Sequence, residues 1–185
     1  MGEGDDPTPR PDPAYEGELA WPASGRLAVP EIPLPHVPFW QVLRSRRSQR
    51  RLAPAPLSES LNWLNASTRP CFTAEHAGLT RTKTPSISSG ALNSVTPLLL
   101  LGRGRPRLLR PRPLEGAAEV LAVHDAAPLH ALRSRAIEIL PATAGCDLVA
   151  LVCDVTKLHA AYDNPDSLGW RDAGAALQTL GFTAT

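Results

Sequence analysis

A cluster of arginine and hydroxyl side chains in residues 44–51 is the part of the sequence best suited to hold an anion. Five of its eight residues are arginine, and Ser48 stands among them. Guanidinium groups two to four residues apart can converge on one phosphate, because each presents paired donors in a planar fork, and a serine hydroxyl adds another donor. The same charges also suit a solvated basic face or a nucleic-acid patch, so charge alone leaves these interpretations open.

Two further segments are built from small side chains. Residues 85–94 surround Gly90 with serine and alanine, so their backbone can approach a flat ring closely, and free N–H groups can bond ring nitrogens or oxygens. Taken alone, this composition is also typical of a polar surface loop. Residues 170–180 are rich in alanine, and by themselves they predict a tightly packed amphipathic helix.

Other kinds of reactive site are not indicated. The three cysteines are an odd number without metal-like spacing, which favours free thiols in a reducing cytosol. His124, His130 and His159 fall on separate predicted elements without ligand spacing, so we expect ordinary surface or helix-end roles for them. We therefore predict no metal site and no Ser-His-Asp arrangement.

Length and composition are those of one ordinary domain. The chain has 185 residues, of which 43% are hydrophobic, and a net charge of +1, so no polyanionic partner is required. The sequence shows neither a secretory signal nor an apolar run long enough to cross a bilayer, so we expect a cytoplasmic protein without a membrane partner.

Nine of the twenty prolines fall within residues 1–38, which predicts a largely extended or disordered leader, with a flexible tail at 1–15 and an extended arm at 32–38. Structured sequence is then expected to begin near Phe39 and to form one domain over residues 39–185.

The pattern after the leader predicts short strands alternating with helices, and hence an α+β or α/β fold with a sheet between helices. Helices are expected at 39–47, 58–65, 128–139, 154–162 and 170–180, and residues 66–95 are expected to be mainly loop. Strands are expected at 98–101, 108–109, 119–123 and 147–153. The last of these is almost continuously apolar, which is typical of an interior strand covered on both faces.

In order and spacing, these segments resemble the nitroreductase superfamily, and in particular its SagB-type branch. Residues 46–50 match an Arg-Arg-Ser-x-Arg motif after an apolar helix, and residues 56–64 match the helix that follows it. Residues 87–94 are similar to a Pro-Ser-Ala-Gly-Ala-Leu-His-Pro segment, residues 148–154 to an interior strand, and residues 172–178 to a helix opening Asp-Ala-Gly-x-x-x-Gln. The resemblance covers roughly residues 39–180.

The resemblance implies an α+β, three-layer fold with a central, mainly antiparallel sheet flanked by helices, and FMN held at the interface of a homodimer. It also implies an FMN-dependent oxidoreductase, in which hydride passes through flavin N5 between NAD(P)H or an organic substrate and an electron-poor acceptor. The substrate would be a small molecule or a modified peptide. The matched positions assign the phosphate and ribityl chain to Arg46, Arg47, Ser48 and Arg50, and the isoalloxazine ring to Ser88, Ser89 and Gly90.

Departures from the family pattern favour a second hypothesis. The sequence ends at Thr185, before the later family segments, so a C-terminally truncated chain with an incomplete flavin site is expected. Asn93 and Ser94 stand where the family has His-Pro, and Ala161 precedes Tyr162 where azoline oxidases have lysine. The alternative is therefore a non-catalytic remnant or accessory subunit that binds no flavin alone. A third hypothesis, an arginine-rich nucleic-acid binder, is disfavoured by the near-neutral net charge and scarce aromatics.

Overall fold

The computed structural model describes residues 6–15, 17, 19–31, 33, 36–76 and 78–184. The described strands are β1 (Thr8–Pro9), β2 (Ala23–Ala28), β3 (Phe72–His76), β4 (Leu79–Lys83), β5 (Val95–Leu100), β6 (Leu108–Arg112), β7 (Ala117–Leu121), β8 (Leu148–Cys153) and β9 (Tyr162–Asp163). The described α-helices are α1 (Phe39–Ser45), α2 (Leu57–Thr68), α3 (Ala127–Ile139), α4 (Val155–Ala161) and α5 (Asp166–Thr183).

A five-stranded antiparallel sheet forms the centre of the molecule. Its strand order is β2-β7-β6-β5-β8, and every neighbouring pair is antiparallel. Two smaller antiparallel pairs, β3 with β4 and β1 with β9, lie outside this sheet. The expectation of an α+β fold with a central antiparallel sheet flanked by helices is confirmed.

The main core lies where α2 and α5 pack against the sheet. Leu61 and Leu64 project from α2 and Leu180 from α5, and they meet Leu99 of β5 and Leu109 of β6. All five side chains are buried. Each buried leucine contributes about 1.5–3 kcal/mol by leaving water, so this layer fixes α5 on the sheet.

The strand β8 corrects one expectation. Its apolar sequence predicted an interior strand, but β8 lies at an edge of the sheet and pairs with β5 alone among the described strands. All six of its residues are only half-buried. The expectation is therefore wrong in both respects within one chain, because β8 has a partner strand on one edge alone among the described strands and both of its faces are partly exposed.

Ordered structure begins well before Phe39. The leader supplies β2, which pairs with β7 along the opposite edge of the sheet, and β1, which pairs with β9. Pro9 is compatible with its place in β1 because an edge strand can lack a donor on its outward side, and β2 itself contains no proline. Residues 1–5 of the predicted tail, and Ile32, Leu34 and Pro35 of the predicted arm, lie outside the described residues.

The segment expected to be mainly loop contains a β-hairpin. Strands β3 and β4 pair in continuous register from Phe72–Lys83 to His76–Leu79. Gly78 takes a φ of 71° at the turn, a left-handed conformation that glycine adopts without a steric penalty. The alternation of threonine with long side chains in β4 is typical of a strand, and the serines and prolines that follow obscured it.

Candidate functional site

The loop between β4 and β5 has a strained backbone. Gly90, Ala91 and Asn93 have φ values of 55°, 57° and 49°. Left-handed geometry costs a residue with a Cβ roughly 1–2 kcal/mol, so it persists only where the surroundings hold it in place. Such loops concentrate at binding sites, and this one is the segment expected to contact a planar ring.

A buried carboxylate on α5 holds this loop. Asp172 is 4% exposed, and its Oδ1 accepts hydrogen bonds from both the backbone N–H and the hydroxyl of Ser89, each at 2.8 Å. Its Oδ2 accepts a third bond from the Ser94 hydroxyl at 3.0 Å. The two sequence segments at 85–94 and 170–180 are therefore joined directly through one side chain.

Gly90 is required by packing within the chain. A Cβ at this position would lie 2.7 Å from Nη1 of Arg81 and 2.7 Å from the hydroxyl oxygen of Tyr162. Arg81 Nη1 also donates a hydrogen bond to the Gly90 carbonyl at 2.6 Å. The glycine was expected to permit close approach of a ring, but the close approach seen here is to these two side chains.

A cavity of about 310 Å³ opens beside the loop, within the range of volumes that hold small organic ligands. Its lining combines apolar side chains with hydroxyl groups. The hydroxyl groups belong to Ser67, Thr68, Thr80, Thr82, Thr84, Ser86, Ser88, Ser94, Thr96 and Thr179, with Tyr15 from the leader. The cavity therefore suits a ligand that has both apolar and hydrogen-bonding atoms.

Asp154 connects the leader to the cavity wall. It begins α4 as its N-cap, and Oδ1 accepts from the backbone N–H groups of Thr156 and Lys157. Its Oδ2 accepts a 2.7 Å hydrogen bond from the Tyr15 hydroxyl. Burial acts to raise the pKa of Asp154, but hydrogen bonds from Thr156 and Tyr15 hold that pKa below its ordinary value. This carboxyl group is therefore ionised at neutral pH.

Cys153 precedes this cap and is a half-buried free thiol. Burial raises its pKa, and the nearby carboxylates of Asp172 and Asp154 act in the same direction, while a hydrogen bond with Ser94 opposes them. The thiol is therefore protonated at neutral pH, so it does not behave as an activated nucleophile.

The predicted phosphate-binding arginines lie elsewhere on the chain. Arg46 caps the C-terminus of α1, and Arg47 donates through Nη1 to the carbonyl oxygens of Arg44 and Arg46. All residues from 44 to 51 are exposed, and none belongs to the described lining of the cavity. Ser88 does line the cavity, and Ser89 and Gly90 stand beside it in the loop. Within one protomer the predicted arginines therefore do not contribute to the described wall of this cavity, whereas Ser88 does.

The described ranges contain neither a cluster of metal ligands nor a membrane-spanning helix. No three His, Cys, Asp or Glu side chains there are placed to hold a metal ion. None of the helices in that part of the chain is both long and apolar enough to cross a membrane.

Comparison with known proteins identifies the architecture. No protein-family model and no curated protein matches the sequence. A crystal structure from Ralstonia eutropha JMP134, of a protein provisionally named a nitroreductase, matches with a TM-score of 0.58. The match covers 93% of this chain and 78% of that one, at 18% sequence identity. This chain has a nitroreductase-like fold. The resemblance read from the three sequence motifs and the likeness in three dimensions thus agree on the fold.

Sequence reasoning missed the leader's part in the site. Tyr15, Leu19 and Trp21 line the cavity, although the segment was expected to be an extended or disordered leader. The presence of Tyr15 and Trp21 in the proline-rich leader was the available signal, because disordered segments rarely contain aromatic residues. The hydroxyls of β4 were missed because the hairpin itself was not predicted.

Proposed function

We propose that this protein is an FMN-dependent oxidoreductase of the nitroreductase type that works as a homodimer. The observation that carries the proposal is the strained loop at 88–93, which Asp172 holds by hydrogen bonds. This loop borders a cavity with hydroxyl groups in its wall, in a nitroreductase-like fold. Loops of this kind place backbone N–H groups against a planar cofactor. The proposal includes a cytosolic location and a small-molecule or modified-peptide substrate.

The donor groups of the chain fit FMN in their chemistry. Phosphate needs charged donors, which exposed Arg46 and Arg50 supply, and the hydroxyl of exposed Ser48 adds a neutral donor. The ring needs donors near its edge. Arg81, whose Nη1 donates to the Gly90 carbonyl, carries a buried Nε that has no hydrogen-bond partner among the described residues. Since one protomer keeps these groups apart, the proposal needs the arginines of one chain and the loop of its partner around one flavin.

Bound FMN would supply hydride transfer through its N5, with NAD(P)H as candidate electron donor. The chain's own residues then act by position. Arg46, Arg47, Ser48 and Arg50 hold the phosphate and ribityl chain, and Ser88, Ser89 and Gly90 hold the ring. Asp172 keeps the loop in place, because its three hydrogen bonds fix the backbone that would meet the ring.

Flavin binding tests the proposal directly. We expect the full chain to quench the fluorescence of added FMN at a stoichiometry of one per protomer, and to be a dimer by light scattering. Removing two phosphate contacts in the double variant R46A/R50A should weaken binding by on the order of a hundredfold. The double variant R103A/R105A is the matched control, since it removes two exposed arginines outside residues 44–51. It should bind FMN as the natural chain does.

The alternative is a non-catalytic or truncated remnant, or an accessory subunit, that binds no flavin alone. It is favoured by the separation of the two predicted groups of residues within one protomer. A dimer that takes up no added FMN would support this alternative and overturn the first proposal. Equal FMN affinity in R46A/R50A and R103A/R105A would instead show that flavin is held without the arginine cluster.

A further inference from the structure

Lys157 places a positive charge at the cavity and has no carboxylate partner among the described residues. The side chain is half-buried, lines the cavity, and carries its ammonium 5.9 Å from the centre of the Tyr15 ring. Within the part of the chain that the structure describes, no carboxylate oxygen lies within 4.0 Å of this ammonium. A partly desolvated cation of this kind attracts an anion more strongly than an exposed one.

The other charged groups of the cavity wall are already engaged. Asp172 accepts three hydrogen bonds, and Asp154 accepts bonds on both of its oxygens. Arg110 pairs with Glu119 at 3.1 Å and lies over the Trp21 ring at 5.5 Å. Arg112 pairs with Glu115. Among the described charged side chains of this wall, Lys157 is therefore the one without an ion pair or a side-chain hydrogen bond.

The surroundings of Lys157 favour an aromatic ligand. Tyr15 and Trp21 line the cavity from the leader, and Leu19 adds an apolar side chain between them in sequence. Aromatic pairs in such a wall add about 0.5–1.5 kcal/mol beyond the area they bury. The volume of about 310 Å³ admits a single small ring with a short polar substituent.

We propose that this cavity binds a small aromatic anion, a carboxylate or a phosphate ester, with Lys157 as its counter-ion and the leader as its aromatic wall. Binding itself is independent of flavin. Only the further statement that this anion is the organic substrate of the enzyme rests on the proposed function.

A continuous set of hydrogen bonds joins this site to the strained loop. Tyr15 donates to Asp154, the backbone N–H of Asp154 donates to the Ser94 carbonyl at 2.7 Å, Ser94 donates to Asp172, and Asp172 accepts from Ser89. A ligand held by Lys157 and Tyr15 therefore lies on the same wall as the loop proposed to meet the flavin ring.

Calorimetric titration of the full chain with phenylacetate tests the site. We expect saturable binding, weaker by about tenfold for neutral phenylacetamide, because the amide cannot pair with the ammonium. Lys157→Met should lose about the same factor for phenylacetate, and Lys157→Arg should recover most of it. The sequence has only two lysines, so Lys83→Met is the matched control and should leave the affinity unchanged.

Chemical labelling supplies a readout that does not depend on the variants folding. Acetic anhydride followed by peptide mass mapping should show phenylacetate protecting Lys157 but not the exposed Lys83.

Three results would overturn the proposal: equal binding of phenylacetate and phenylacetamide, the absence of saturation, or equal phenylacetate affinity in Lys157→Met and the natural chain. A chain that binds phenylacetate but not FMN would support this site and contradict the proposed flavin enzyme, and the reverse result would do the opposite.

Discussion

Asp172→Ala tests whether one buried carboxylate holds the strained loop. The change removes three hydrogen bonds to a charged acceptor, each of which contributes about 1.5–3 kcal/mol. Part of this loss is offset, because the variant no longer has the desolvation cost of a buried carboxylate. We expect a net loss of about 3 kcal/mol in the free energy of unfolding. Asp172→Asn keeps the size and one acceptor oxygen, so it should lose about half as much.

Urea denaturation measures these differences, and Asp166→Ala is the matched control. Asp166 lies on the same helix, but its side chain is 97% exposed and its Oδ1 lies 4.0 Å from Nε2 of His159. Its loss should therefore cost no more than about 1 kcal/mol. Hydrogen exchange at the Ser89 amide should also accelerate in Asp172→Ala, since that amide donates directly to the carboxylate. If Asp172→Ala is no less stable than Asp166→Ala, the carboxylate does not hold the loop.

Two further predictions concern the same part of the molecule. Gly90→Ala should lower the free energy of unfolding by about 2 kcal/mol, which is about twice the cost of Gly104→Ala. Both glycines have positive φ, but only a Cβ at Gly90 would meet other side chains, at 2.7 Å. Equal losses for the two variants in urea denaturation would contradict this packing role. Asp154 has a lowered pKa, so it stabilises the fold above the pKa of the unfolded chain, about 3.9, and this contribution is lost as the pH falls through the lower folded value. The stability difference between the natural chain and Asp154→Asn should therefore shrink on acidification below about pH 4, and a difference independent of pH would refute it.

The elements with strong local signals were predictable from sequence. The apolar pattern of α2, the small residues of α5 and the apolar run of β8 each predicted an element of the right type near its observed bounds. Asp154 was predictable as a helix cap, because an aspartate before a helix can accept from its first N–H groups. These features depend on neighbours within a few residues, which is why a single sequence contains them.

Features that depend on distant partners were not predictable in the same way. The edge position of β8 depends on which strands pair with it, and the role of β2 depends on β7, which follows it by about ninety residues. The hydrogen bonds from Ser89 to Asp172 join residues that are 83 positions apart, so no local sequence pattern predicts them. The separation of the arginine cluster from the loop is likewise a property of the folded chain.

The pairing of β1 with β9 has a consequence for the order of events during synthesis. Arg10 forms its ion pair with Asp163, 153 residues later, so the leader leaves the ribosome long before its partner has been made. Contacts of such large sequence separation are formed late and slow the folding of a domain. The aromatic wall that Tyr15 and Trp21 contribute is therefore completed only after the rest of the cavity has been translated, so this early segment is among the last to reach its final neighbours.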